Sequence, residues 1–202
     1  MLAVAGGKGG SGKTTTALGV AAALVERRRR PLVVDCDLDA PNLHVRAGVP
    51  RDPGVDATAP VADAHDSTVV PGVDVVPVGD ADANDLAATL DSLPQDRPVL
   101  LDCPAGASEA AARPLRAADA CVVVATRGRE SVEDAIKTAE MARAVGTPVR
   151  ALAVTQSSAV PQGLADAADA PAIPVPRATD PLSDAKAAAA YASVADCSRP
   201  NT

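Results

Sequence analysis

The stretch that decides the fold reads GKGGSGKTT over residues 7–15, between a short apolar segment and a long helical pattern. It fits the pattern G-x-x-x-x-G-K-[ST] in the strand–loop–helix setting that this pattern requires. Glycines let backbone N–H groups curve around phosphate oxygens, and the N-terminus of the following helix adds partial positive charge. The stretch therefore predicts a phosphate-binding loop. Its expected contact residues are Gly7, Lys8, Gly9, Gly10, Ser11, Gly12, Lys13, Thr14 and Thr15.

Two side chains of this loop have distinct expected tasks. Lys13 is expected to reach the β- and γ-phosphates of a nucleotide, and the Thr14 hydroxyl is expected to complete the ligand shell of Mg²⁺. Two of the four lysines of the chain lie within these nine residues, which argues against a chance glycine-rich turn. The predicted ligands are therefore a nucleotide and Mg²⁺.

Short valine-rich segments alternate with helical patterns along the rest of the chain, which is typical of βαβ units around a buried parallel sheet. We therefore expect one α/β domain over residues 1–202, with a mostly parallel sheet of about seven strands and helices on both faces. This is the three-layer α/β/α architecture of P-loop NTPases. Strands are predicted at 2–5, 32–34, 73–78, 98–101, 121–125, 149–154 and 172–175. Helices are predicted at 13–29, 82–93, 131–144 and 181–194, and residues 49–71, with four prolines, are predicted to be an irregular loop.

Acidic residues follow two of the predicted strands. Asp35 and Asp37 come after the strand at 32–34, and Asp102 follows the apolar residues 99–101. Ligands of parallel sheets bind in the crevice at the carboxyl ends of the strands, so these carboxylates are expected to face the nucleotide. A carboxylate at a strand end can accept hydrogen bonds from Mg²⁺-bound water, and we therefore expect Asp102 to serve the metal.

The combined pattern of residues 8–15, 33–42 and 99–106 resembles the MinD/ParA family of P-loop ATPases, which have a deviant Walker A motif. The resemblance covers nearly the whole chain and is closest to small MinD-like ATPases of salt-loving archaea. It implies ATP and Mg²⁺ as ligands, a homodimer that forms on ATP binding, slow hydrolysis, and an unknown partner or cargo protein.

The resemblance also implies roles for single residues. Lys8 would cross the dimer interface and neutralise charge on the phosphates of the partner's nucleotide. Asp37 would orient the attacking water, and Asp35 would help to hold Mg²⁺ and its waters. The backbone N–H of Gly106 would sense the γ-phosphate. The implied catalytic residues are Lys8, Lys13 and Asp37, and the implied metal residues are Thr14, Asp35 and Asp102.

One position departs from the family. The family usually has an asparagine after its sixth strand that contacts adenine, whereas this chain has Thr155 and Gln156 at that place. Both side chains can hydrogen-bond a base, so we expect them to contact it. The sequence leaves the choice between ATP and GTP open.

Charge and composition restrict the partners. The chain has 26 acidic and 19 basic residues, a net charge of −7, one tyrosine, and neither phenylalanine nor tryptophan. A negative field repels nucleic acid and anionic lipid, and aromatic platforms for base stacking are missing. The basic run 27–30 is interpreted as a solvated helix end, and the last residues lack the basic and apolar faces of a membrane-binding helix. We therefore expect a cytoplasmic protein that neither binds nucleic acid nor anchors directly in a membrane.

Three functions fit these patterns. The expected one is an ATP-dependent switch that controls the location or activity of a partner protein. A second is an ATP-dependent enzyme for a small molecule, such as a ligase or the partner of an amidotransferase, on the same fold. A third is a carrier of an iron–sulfur cluster. The four cysteines argue against the third, because none forms a CxxC pair and the first three lie in or beside apolar segments.

Overall fold

The computed structural model describes residues 1–7, 9–56 and 64–198. Its strands are β1 (Leu2–Gly6), β2 (Leu32–Asp35), β3 (His65–Asp66), β4 (Asp74–Val76), β5 (Val99–Ala105), β6 (Ala120–Ala125), β7 (Val149–Val154) and β8 (Ala172–Pro174). Its helices are α1 (Lys13–Val25), α2 (Leu43–Ala47), α3 (Ala83–Ser92), α4 (Glu109–Ala117), α5 (Arg129–Ala144), α6 (Leu164–Ala168) and α7 (Ala185–Cys197). Strands and helices alternate along most of the chain, as the sequence predicts.

The strands form one eight-stranded sheet in the order β3-β4-β2-β5-β1-β6-β7-β8. Every neighbouring pair is parallel except β3 and β4. β1 lies inside the sheet, with Leu2 opposite both Leu100 of β5 and Ala120 of β6. The valine- and leucine-rich central strands are buried because helices cover both faces, as is usual for parallel strands. The predicted three-layer α/β/α P-loop NTPase fold is therefore confirmed.

Two apolar layers hold the helices on the sheet. α1, α2 and α7 pack on one face through a buried cluster that includes Leu18, Leu43 and Tyr191. α3, α4, α5 and α6 pack on the other face through a cluster that includes Leu115. A Cβ atom at Gly19 of α1 would collide with the ring of Tyr191 of α7, so the close packing of these two helices requires glycine there.

The structure differs from the sequence predictions at several elements. The region 49–71, predicted to be irregular, contains the two-residue strand β3, which raises the predicted seven strands to eight. Residues 57–63 of that region lie outside the described part of the chain. The helices α2, α4 and α6 were not predicted, because α2 and α6 have only five residues each and α4 contains Pro114. α1 ends at Val25, earlier than predicted, because the chain turns and Arg28 adopts a left-handed φ of 57°.

The arginine run 27–30 is only partly solvated. Arg28 and Arg29 are exposed, as the sequence interpretation expects. Arg27 pairs with Asp196 at 3.0 Å, and Arg30 pairs with Asp74, also at 3.0 Å. These two arginines therefore connect the turn after α1 to other elements.

The apolar character of the chain bears on two features: the burial of the cysteines and the presence of a helix that could cross a bilayer. Cys36, Cys103 and Cys121 are buried and behave as small apolar residues, as predicted, whereas Cys197 is half-buried. Within the described ranges, no helix combines the length and the apolar character that crossing a bilayer requires.

Candidate functional site

The phosphate loop occupies the turn between β1 and α1, where the sequence predicts it. Gly10 (φ 77°) and Gly12 (φ 94°) have left-handed backbone conformations that other residues rarely adopt. Gly12 is also the N-cap of α1 and makes no side-chain hydrogen bond, so the first N–H groups of the helix remain for a ligand. These amides and the helix dipole form the anion site that the motif requires. Lys8 lies outside the described residues.

Close packing fixes the base of the loop. A Cβ atom on Gly6 would lie 2.6 Å from the carbonyl oxygen of Val124, and one on Gly7 would collide with Asp134 of α5. A Cβ atom on Gly9 would meet open space. The base of the loop is therefore held against β6 and α5, whereas its tip faces solvent.

Thr155 braces the loop from the end of β7. Its side chain is buried, and its hydroxyl donates to the carbonyl oxygen of Ser11 at 2.6 Å. The same hydroxyl lies 3.2 Å from the carbonyl oxygen of Ala125, and its predicted contact with a base stays a prediction. Gln156 is exposed with a φ of 56°, and its carboxamide remains available for the predicted base contact.

Two buried carboxylates lie side by side at the carboxyl ends of adjacent strands. Asp35 of β2 and Asp102 of β5 are direct register partners and are 1% and 3% exposed. Burial raises the pKa of Asp35 to about 6. Burial, followed by the nearby charge of Asp35, raises the pKa of Asp102 to about 8. The Thr14 hydroxyl and the Lys13 ammonium act on the pKa of Asp102 in the opposite direction.

This arrangement fits a divalent cation. Oδ1 of Asp102 is buried and has no hydrogen-bond partner among the described residues. Carboxylate and hydroxyl oxygens suit Mg²⁺, which completes its shell with water and phosphate oxygens. A cation here would favour the ionised forms of both aspartates, whose pKa values are raised mainly by burial. The structure thus brings the three predicted metal residues Thr14, Asp35 and Asp102 to one place.

Asp37 lies on the loop after β2. Its N–H donates to Oδ1 of Asp35 at 3.1 Å, and its own Oδ1 accepts from the N–H of Ala40 at 3.0 Å. The other oxygen of Asp35 accepts from the N–H of Leu43 at 3.2 Å. One carboxylate oxygen of Asp37 therefore accepts a hydrogen bond within its own turn. The second carboxylate oxygen is the one that can accept a hydrogen bond from a water molecule. The catalytic role of Asp37 stays a prediction.

β5 continues past Asp102 instead of ending before it. The sequence predicts a strand at 98–101, but pairing with β1 carries the observed strand on to Ala105, opposite Gly6. Gly106 then adopts a φ of 92°, and its N–H donates to the carbonyl oxygen of Gly6 at 3.4 Å. Gly106 therefore lies beside the start of the phosphate loop, and its contact with the γ-phosphate stays a prediction.

Asn42 is a site residue that the sequence analysis did not single out. Its Oδ1 accepts from the Thr14 hydroxyl at 2.8 Å, and its Nδ2 donates to the carbonyl oxygen of Ala40 at 3.4 Å. The predicted metal-binding hydroxyl is therefore tied to the segment 37–42 that also carries Asp37. The only sequence signal is the position of Asn42 just after the acidic segment, since nothing local indicates a contact with a residue 28 positions away.

Two open pockets lie near the loop and the end of the sheet. The first has a volume of about 350 Å³ and lies between the loop tip and the start of α5. Its lining residues are Gly9, Gly10, Ser11, Thr126, Gly128, Arg129, Glu130 and Ser131. The second, of about 770 Å³, follows β8 and is lined by Arg177, Ala178, Thr179, Asp180, Ser183 and Asp184. Because the N–H of Ser157 donates to the carbonyl oxygen of Val175 at 2.9 Å, the second pocket begins near Gln156, and the sequence analysis singled out none of its lining residues.

The parallel sheet, the glycine loop and the buried acids at the carboxyl edge define a nucleotide-binding domain of the P-loop class. The model of the CobQ/CobB/MinD/ParA nucleotide binding domain matches residues 2–165. The chain therefore belongs to this family.

Individual relatives agree with this assignment. An uncharacterised ATP-binding protein of Methanocaldococcus jannaschii is 31% identical over 160 residues, which are 73% of this chain and 61% of that protein, so the chain spans less than two thirds of this relative. The cell division ATPase MinD of Pyrococcus furiosus has a TM-score of 0.82 at 22% identity, with 97% of this chain and 96% of that chain covered. The cobyrinic acid a,c-diamide synthase of Mycobacterium smegmatis, with bound ATP analogue and magnesium, has a TM-score of 0.70 at 26% identity, with 96% and 92% covered. The MinD/ParA resemblance is confirmed, and closeness to proteins of salt-loving archaea stays a prediction.

Proposed function

We propose that this protein is an ATP-dependent molecular switch. In this proposal it binds ATP with Mg²⁺, forms a homodimer in the ATP-bound state, hydrolyses ATP slowly and controls the location or activity of a partner or cargo protein. The observation that carries the proposal is the placement of Lys13 and Thr14 of the phosphate loop beside the buried carboxylates Asp35 and Asp102. Phosphoryl transfer depends on this combination of positioning groups and cations.

Binding of the phosphates is the task of the loop. Its backbone amides and the Lys13 ammonium hold the phosphate oxygens, and the packing of Thr155 on Ser11 keeps the loop in shape. Thr14 and Asp102 hold Mg²⁺, directly or through water, and Asp35 holds its water shell. When bound, Mg²⁺ neutralises charge on the phosphates.

Hydrolysis is the task of the two segments that follow β2 and β5. Asp37 orients the attacking water with the carboxylate oxygen that does not cap its turn. The Gly106 N–H has only a long hydrogen bond of 3.4 Å to Gly6, so it can turn to the γ-phosphate at low cost. Loss of that phosphate then releases both segments.

Dimer formation is supported by the family and by the open tip of the loop. Gly9 and Gly10 are exposed, so a second subunit can approach the phosphates from this side. In the proposal, Lys8 of each subunit adds an ammonium group to the nucleotide of the other. That added charge makes the dimer depend on ATP.

A second candidate is an ATP-dependent enzyme for a small molecule. It is favoured by the 26% identity with the cobyrinic acid a,c-diamide synthase, which is higher than the 22% identity with MinD. Such an enzyme releases phosphate only when a second substrate accepts the activated group. The dependence of phosphate release on an acceptor therefore separates the two functions.

Light scattering combined with phosphate release tests the switch. The wild-type protein should dimerise with ATP and Mg²⁺ but not with ADP, and Lys8→Ala should bind ATP and stay monomeric. Lys137→Ala is the control, because that lysine is an exposed residue of α5 with a surface ion pair to Asp134. A wild-type protein that stays monomeric with ATP contradicts the switch, as does a Lys8→Ala protein that dimerises normally. Phosphate release that requires a carboxylic acid acceptor supports the enzyme instead.

A further inference from the structure

A groove of about 790 Å³ lies at the amino edge of the sheet, opposite the edge that carries the phosphate loop. The starts of β1, β5 and β6 and the C-terminal ends of α1 and α7 contribute to it. Its apolar lining includes Leu2, Val20, Leu24 and Leu100. Small-molecule sites have volumes of about 300–1,000 Å³ and combine an apolar lining with a few polar groups. This groove has that size and that lining.

Arginines supply its polar groups. Nη2 of Arg27 donates to the carbonyl oxygen of Ala192 at 3.1 Å and pairs with Asp196 at 3.0 Å, whereas Nη1 is buried without an acceptor among the described residues. Nε of Arg150 on β7 is also buried and has no acceptor in that part of the chain. A buried donor without an acceptor is unfavourable. These two nitrogens are enclosed by protein atoms, but both side chains are partly exposed, so two guanidinium groups line the groove.

Two other charges at the groove already have partners. The amino group of Met1 is bonded to Asp119. Arg27 donates to the carbonyl oxygen of Ala192 in α7 and pairs with Asp196. None of the ion pairs formed among the described residues involves Arg150. Arg150 therefore adds positive charge that suits an anion.

We propose that this groove binds a small amphipathic carboxylate, a molecule with one carboxylate group and an aliphatic chain. The carboxylate pairs with the exposed part of the Arg150 and Arg27 guanidinium groups, because planar guanidinium groups match carboxylate geometry. The aliphatic chain covers Leu2, Leu24 and Leu100. The five residues of β1, roughly 16 Å, separate this groove from the phosphate loop, so the proposal does not rest on the proposed switch.

Octanoate is the probe, and octan-1-ol is the uncharged control of equal chain length. Binding is measured by calorimetry and by chemical shifts of leucine and valine methyl groups. Octanoate should bind the wild-type protein and shift the methyl signals of Leu2, Leu24 and Leu100. Arg150→Gln should weaken binding about tenfold, because it removes a charge-assisted hydrogen bond. Arg28→Gln is the matched control, since Arg28 is exposed and does not line the groove.

Several outcomes overturn the proposal. The first is that octanoate, below its micelle-forming concentration, gives neither a heat of binding nor methyl shifts. The second is that octanoate and octanol bind with equal affinity. The third is that Arg150→Gln and the wild type bind octanoate with equal affinity. Competition by Mg–ADP overturns it too, because octanoate would then occupy the phosphate loop. Should Arg150→Gln not fold, Leu24→Phe fills the groove and keeps both guanidinium groups. It should also weaken octanoate binding, and unchanged affinity in that variant contradicts the proposal.

Discussion

Buried carboxylates at the two edges of the sheet have pKa values that are shifted in opposite directions. At the amino edge, Asp74 of β4 accepts from Arg30 at 3.0 Å and from Arg97 at 2.5 Å. Burial raises its pKa, but the hydrogen bonds from the two guanidinium groups outweigh burial and lower it. At the carboxyl edge, Asp35 and Asp102 lie together, and burial raises their pKa values to about 6 and about 8.

This difference separates a structural carboxylate from a ligand-binding pair. Asp74 receives its cations from the fold itself, and the resulting cluster ties the starts of β2, β4 and β5 together. Burial destabilises the ionised forms of Asp35 and Asp102 more than the nearby donors stabilise them, and an added cation would favour those forms. Carboxylates with such raised pKa values in a crevice are typical of functional sites.

Lys13→Ala tests whether the buried cation at the carboxyl edge serves the ligand or the fold. If Lys13 serves the phosphates, the substitution should weaken ATP binding by about a hundredfold or more, because it removes a charge-assisted contact. The melting temperature of the free protein should change little. Calorimetry with ATP and Mg²⁺ measures the affinity, with Lys137→Ala as the surface control. Unchanged affinity together with a large loss of stability would instead show that Lys13 stabilises the fold, as Arg97 does at the amino edge.

Asp74→Asn and Asp102→Asn compare the two edges directly. Asp74→Asn should lower the free energy of unfolding by about 2–4 kcal/mol, because Arg97, with a side chain only 22% exposed, loses its anion. Asp102→Asn at pH 8 without Mg²⁺ should raise it, because it removes a charge that the folded state stabilises poorly. Urea denaturation of both variants measures the difference. Equal losses would show that Asp102 is structural.

The site could be predicted where its residues form contiguous motifs. The phosphate loop, Asp35 and Asp102 each belong to a run of fewer than ten residues, so their chemistry is visible in the sequence alone. Contacts between distant segments had no such signal. The hydroxyl of Thr155 donates to a carbonyl group 144 residues away, and no local pattern indicated that this side chain braces the loop.

The fold could be predicted to a similar extent. The alternation of valine-rich segments and helices is a local property, and it predicted the parallel sheet and both helical layers. Boundaries set by tertiary pairing were less accurate: β5 continues past Asp102 because β1 pairs with it, and β3 exists only through its antiparallel pairing with β4. The cluster of Asp74 with Arg30 and Arg97 joins residues 44 and 23 positions apart, and no sequence pattern indicated it.

The pH dependence of stability should carry opposite signs at the two edges. Asp35 and Asp102 have folded pKa values above the usual aspartate value of 3.8, so the folded state binds more protons than the unfolded chain between 3.8 and about 8. Stability without Mg²⁺ should therefore fall as pH rises through this range, by roughly 1.4 kcal/mol for each pH unit over which one of these groups is protonated only in the folded state. The lowered pKa of Asp74 has the reverse effect, since its contribution is present above pH 3.8 and is lost as pH falls below that value.

Denaturation curves from pH 5 to pH 8 measure this dependence. Asp102→Asn should flatten the decline, because the group with the higher pKa no longer titrates, and saturating Mg–ADP should flatten it in the wild-type protein. Asp74→Asn should leave the slope in this range unchanged. A wild-type profile that is flat or rises over the range would contradict the raised pKa values of Asp35 and Asp102.

The smallest expected effect concerns Asn42, which holds the Thr14 hydroxyl at 2.8 Å. Asn42→Ala should raise the Mg²⁺ concentration needed for half-maximal nucleotide binding by about fivefold, since one hydrogen bond contributes about 1 kcal/mol. Nucleotide affinity in EDTA should not change, because the loop amides and Lys13 are untouched. Asn42→Asp keeps an acceptor oxygen and should restore the wild-type Mg²⁺ midpoint, and Asn84→Ala on exposed α3 is the control. If Asn42→Ala weakens binding equally with and without Mg²⁺, Asn42 supports the fold of the segment 37–42 in the way that Arg97 supports β4.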